Sequence, residues 1–173
     1  MIKVVDESQA RAQLESLRSV MSELLGIYRQ LLDVLRIERD ALISVDVKQV
    51  RETTLAKDML IATLRIAEDK RTQVVDTLID PEVSLEDLAI SIQAKWPEMA
   101  QHLRSTATAL RILVRRAHEQ NAENQSYAEH GLKHLSRMRS TLLGEDEPKQ
   151  TAYGARGQKV SHGPVGHVFS QKG

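Results

Sequence analysis

From Leu14 onward apolar residues recur at alternating steps of three and four: Leu14, Leu17, Met21, Leu24, Tyr28, Leu31 and Leu35. That spacing places them on one face of a helix. The predicted helix starts at Asp6 or Ser8 and reaches about Ile43, ~36 residues or ~54 Å at the helical rise. Leu25, Leu32 and Leu42 widen the stripe beyond a two-stranded seam. The helix is therefore expected to pack against more than one partner helix, or against one helix plus a bound segment. Ser44-Val45-Asp46 interrupts the pattern, and the Asp46 carboxylate can accept from the first amides of a second helix beginning near Val47. A hairpin bend is expected there.

The second helix carries Val47, Val50, Leu55, Met59, Leu60, Leu64, Ala67, Val74, Val75 and Leu78, and stops at Asp80-Pro81. Ser84, with Asp87 three residues on, has the pattern of a capped short helix near residues 84 to 94 that buries Leu85, Leu88 and Ile92. Pro97 suits the first turn of the next helix. A second unbroken register then runs through Leu103, Ala107, Leu110, Val114, Ala117, Asn121, Asn124, Ala128, Gly131, Leu135, Met138 and Leu142. Its seam is apolar, then polar at the two asparagines, then thin at Ala128 and Gly131. Gly144 is the expected helix stop. Residues 144 to 173 are rich in Gly and polar residues without apolar period, which reads as a flexible, mostly disordered tail. The expected fold is all-α: an antiparallel bundle or coiled coil of three long helices plus one short one over residues 1–143, followed by that tail.

Composition agrees with helices, since aromatic residues make up only 3% of the 173. Lys plus Arg and Asp plus Glu number 24 each, so no net field draws the chain to nucleic acid or anionic membrane. There is no cysteine, which removes thiolate catalysis and cysteine zinc sites and suits a reducing compartment such as the cytoplasm. The start, MIKVVDESQA, lacks the basic opening and long apolar run of a signal peptide. No segment approaches the ~18 consecutive apolar residues of a membrane span.

The chemistry-bearing residues do not converge on a catalytic pattern. His130 and His134 lie one helical turn apart with no third inward ligand, and solvated histidines are the better reading. His162 and His167 fall in the tail. Arg111, Arg115 and Arg116 make one face of the last helix basic, and residues 97–143 carry seven Lys/Arg against four Glu. A nucleic-acid groove calls for a larger excess with stacking aromatics, so a solvated face or an acidic protein partner is preferred. Gly154 and Gly157 lack the strand and helix of a phosphate loop. The expectation is a binding protein, not an enzyme, with no cofactor and no metal.

Two features point toward partners. The asparagines at core register, Asn121 and Asn124, form either a polar layer that sets helix register or a groove that hydrogen-bonds a captured peptide backbone. The stripe Leu135, Met138 and Leu142 is either core or an exposed face that accepts an amphipathic helix.

Several stretches carry a resemblance: RIERDALISVD at the end of the first helix, TTLAKDMLIATLRIAEDKR in the second, NAENQSYAEHGLKHLSR in the last, and TAYGARGQ beyond it. Glu38, Leu42, Ser44, Asp46, Lys57, Leu60, Leu64, Arg71, Asn121, Asn124, Tyr153, Gly154 and Gly157 are its most telling residues. Over nearly the whole length the chain resembles the FlgN family of flagellar export chaperones. The resemblance implies a cytoplasmic chaperone that binds C-terminal segments of the hook-filament junction (hook-associated) proteins. It would keep them from premature assembly and deliver them to the flagellar type III export gate, without binding nucleic acid or inserting into membrane. Carried over by position, the partner-binding residues are Asn121, Asn124, Tyr127, Leu132, Leu135, Met138 and Leu142, with Tyr153 ordering on binding. The competing reading is a structural coiled-coil or homo-oligomeric adaptor, in which the same stripes are buried between identical chains.

Overall fold

The computed structural model describes residues 6–80, 82–143, 151–153 and 159–161. Four helices follow in order: α1 (Glu7–Ser44), α2 (Val47–Leu78), α3 (Leu85–Ile92) and α4 (Pro97–Leu142). Two compact units are distinguished, residues 1–129 and 130–173.

The first three helices begin where a short polar side chain can satisfy their open amides. Asp6 caps α1 by accepting from the Ser8 amide and, at 2.6 Å, from the Ser8 hydroxyl. The Ser8 hydroxyl, aided by the Ser8 amide, holds the Asp6 carboxyl below its ordinary pKa. Asp46 caps α2, accepting from the Gln49 amide at 3.0 Å. Ser84 and Asp87 close a reciprocal capping box on α3, with the Asp87 amide donating to the Ser84 hydroxyl oxygen and the Ser84 amide to the Asp87 carboxylate. Pro97 occupies the first position of α4.

The bend after α1 takes two residues. Val45 adopts a left-handed conformation (φ 58°), its amide donating to the Leu42 carbonyl and the next amide, of Asp46, donating to the Ala41 carbonyl at 2.9 Å. This crossed pair of bonds terminates a helix at a position normally given to glycine. Helix α2 ends on a core residue, Leu78, with Ile79 after it extended and buried; Pro81, expected to stop it, lies outside the described residues.

All seven residues of the first predicted stripe are buried, and Leu25, Leu32 and Leu42 are half-buried beside them. They contribute to three successive apolar layers. In the first, Leu14, Leu17 and Met21 of α1 meet Leu78 and Ile79, Leu88, Ala89 and Ile92 of α3, and Ala100 and Leu103 of α4. In the second, Val20, Leu24, Ile27 and Ala67 pack with Leu60, Leu64 and Leu110. The third joins Tyr28, Leu31, Leu35 and Ala117 with Leu113 and Val114 around them. Numbers rise along α1 and α4 while falling along α2, so α1 and α4 run parallel and α2 antiparallel to both. Each fully buried Leu contributes about 1.5–3 kcal/mol by leaving water. Lys95, in the connection between α3 and α4, pairs with Glu7 of α1 at 2.7 Å and sits 5.0 Å from the centroid of the Trp96 ring.

Expectations about burial are corrected at several positions. Asn121, placed at core register by the spacing, is exposed; between Ala117 and the helix end only Asn124 of α4 is buried. Leu85 is half-buried where burial was expected. Val47, Leu55 and Met59, counted among the apolar positions of α2, are exposed.

In the second unit helix continues to Leu142, and the Leu143 amide donates to the Arg139 carbonyl. Thr151–Tyr153 and Lys159–Ser161 pair as an antiparallel two-stranded ladder with Ala152 opposite Val160. The sequence pattern did not announce this pairing. Gly144 and the rest of the stretch read as a disordered tail lie outside the described residues.

Candidate partner-binding surface

One polar layer interrupts the apolar stack of the first unit. Glu38 continues the register of Leu31 and Leu35 and is buried among the three long helices. Its carboxylate accepts from the Lys57 ammonium at 2.7 Å and from the Asn124 side-chain amide at 2.9 Å. The same Asn124 nitrogen donates to the Leu35 carbonyl at 2.8 Å. A buried carboxylate costs several kcal/mol unless paired and hydrogen-bonded, and this one has both kinds of partner. The Asn124 side-chain oxygen has no hydrogen-bond partner among the described residues. The three helices are thereby keyed at one level, α1 to α2 by charge and α1 to α4 by the amide. Of the two roles open to Asn124, the geometry has it engaged inside the bundle; Asn121 faces solvent.

Glu38 and Lys57 were named only as family-like residues, not as a pair. The available signal was a charged residue falling in the 3-4 register between Leu35 and Leu42, which demands a counter-charge if the position is buried.

Tyr127, also in the first unit, is 48% exposed. In the second unit the apolar residues of the last helical turns stand in water: Leu132 at 65%, Leu135 at 55%, Met138 at 49% and Leu142 at 83% exposure. At about 100° per residue they occupy one arc of about 120°. The charged residues between 130 and 143 are Lys133, Arg137 and Arg139, all basic. A Cβ on Gly131 would meet nothing within 4 Å, so its absence relieves no contact. Tyr153 lies in the first strand, paired in register with Lys159.

His130 and His134 are exposed, and among the described residues no group of three or more His, Asp or Glu is placed to hold a metal. No helix among the described residues is long and apolar enough to cross a membrane.

A helical bundle keyed by an internal polar layer, whose last helix leaves an apolar arc in water, is suited to binding another protein segment. A family model described as FlgN protein matches residues 12–161, and the chain belongs to that family. No curated protein matches the chain significantly. No solved structure matches it either.

Proposed function

We propose that the arc of Leu132, Leu135, Met138 and Leu142 receives the C-terminal segments of hook-associated junction proteins in the cytoplasm. So held, they are kept from premature assembly and presented to the export gate. The observation that supports this reading is the exposure of four large apolar side chains on one helical arc, with Lys133, Arg137 and Arg139 among them in sequence. A segment that normally buries an apolar face in filament contacts, with carboxylates beside it, matches both properties. Asn124 acts in this reading as an internal key, while the exposed Asn121 and Tyr127 remain open to polar contact with a partner.

The test is calorimetry of the full chain with C-terminal peptides of the two junction proteins of its organism, alongside a Leu135→Asp, Met138→Asp double variant. Binding in the wild type that is lost in the variant, with unchanged helicity and unfolding temperature, supports the reading. Absence of binding to both peptides, or equal binding by the variant, refutes it.

A further inference from the structure

Helix α2 is apolar on two opposed faces. One face, with Leu60, Leu64, Ala67, Val74, Val75 and Leu78, enters the core layers. The other carries Leu55 and Met59, each 65% exposed, exposed Ala62, and Ile66 at 59%. These four recur at steps of four, three and four, the period of a coiled-coil seam, and point about 140° away from the buried face. Single exposed apolar residues are ordinary, but four in seam register on the face remote from the core are not explained by the bundle.

We infer that this face is a self-docking surface on which a second copy of the chain lays its own α2, antiparallel, about a two-fold axis. The flanking charges select both the occupant and the register. Asp58 and Arg65 stand seven residues apart on the same edge of the stripe, each just before a seam residue, Met59 and Ile66. An antiparallel pairing that sets Leu55 against the partner's Ile66, and Met59 against the partner's Ala62, brings Asp58 to the partner's Arg65. Symmetry repeats that contact, so both charges on both chains are satisfied. In a parallel pairing Asp58 would face the partner's neutral Thr63, and Arg65 would face the partner's Lys70, a like charge. A foreign helix of uniform charge would satisfy only one of the two. Glu52 and Asp69 occupy the next seam positions outward; this register sets each opposite the other on the second copy, a like-charge pair at both ends that confines the apolar contact to four residues of each chain and weakens it. Such a contact is smaller than a standard interface of ~1,600 Å², so association is weak, with a Kd of about 10 μM to 1 mM. This surface shares no residue with the arc proposed for cargo.

The experiment is sedimentation equilibrium of the full chain up to about 1 mM, for the wild type, Asp58→Arg, Arg65→Asp, the Asp58→Arg/Arg65→Asp double variant, and Leu135→Asp/Met138→Asp. The wild type is expected to dimerise, each single charge reversal to weaken the dimer by about tenfold, and the double reversal to restore it. Circular dichroism checks that each variant is folded. Because the chain has no cysteine, a Met59→Cys chain mixed with an Ala62→Cys chain should yield a disulfide-linked heterodimer on mild oxidation, while Met59→Cys alone should yield little. A wild type that stays monomeric throughout, a double reversal that does not rescue, or association lost only in the Leu135→Asp/Met138→Asp variant would overturn the inference.

Discussion

The side-chain amide of Asn124 on α4 lies 2.9 Å from the Glu38 carboxylate on α1, joining residues 86 positions apart in the sequence. Glu38 also holds Lys57, so one carboxylate anchors both neighbouring helices. Asn124→Ala leaves the Leu35 carbonyl and one carboxylate oxygen without that donor, and should lower stability by about 1–3 kcal/mol. Lys57→Met, which leaves a buried carboxylate without its counter-charge, should cost about 3–5 kcal/mol. Urea unfolding of both variants checks the order; a smaller loss for Lys57→Met than for Asn124→Ala would show that the ion pair is not what satisfies Glu38.

Val45 holds a left-handed backbone at a helix end, where a β-branched side chain is unfavourable by about 1–2 kcal/mol. Val45→Gly relieves that strain at the expense of unfolded-chain entropy, so a net gain of about 0.5–1 kcal/mol is expected. The side chain is 68% exposed, so little burial is lost. A raised urea midpoint with unchanged slope is the signature to look for.

Leu24 is fully buried and Leu135 is 55% exposed. Leu24→Ala should therefore cost about 3–5 kcal/mol, and Leu135→Ala no more than about 0.5 kcal/mol. Thermal melts of the two variants separate a residue kept for folding from one free to serve a partner.

Gly131 lies within α4 with open space around the site of a Cβ. Replacing it by Ala should favour helix locally by about 0.5–1 kcal/mol, read as slower amide exchange at Leu132 to Leu135. Unchanged exchange would show that the segment's helicity does not depend on the glycine.

Burial raises the Tyr28 hydroxyl above its ordinary pKa, Glu68 adding to the effect and Arg71 opposing it. The folded state thus favours the protonated phenol. Its contribution is complete below the unfolded value near ~10 and is lost as pH rises through the folded one. Urea midpoints of Tyr28→Phe should fall less steeply above pH ~10 than those of the wild type; parallel curves would assign the alkaline loss to other groups.

The helices and their ends were legible along the chain. Asp46, Ser84 with Asp87, and Pro97 act on amides within three residues of themselves, so their consequences are local and readable. The stripe from Leu14 to Leu35 was legible for the same reason: its period is a property of one helix. The α4 seam shows where that logic stops. Its spacing continues unbroken to Leu142, yet the last residue of α4 that is buried is Asn124. The exposed stripe of α2 was likewise merged in the sequence with the apolar positions that enter the core.

The sequence by itself determined which segments are helical, where they turn and which residues share a face, because capping and periodicity depend on neighbours one or two turns away. Only the tertiary structure decided which faces are covered and that Glu38, Lys57 and Asn124 meet. Burial and pairing require a second helix at the right height, and a single helix's period does not specify where its partner ends.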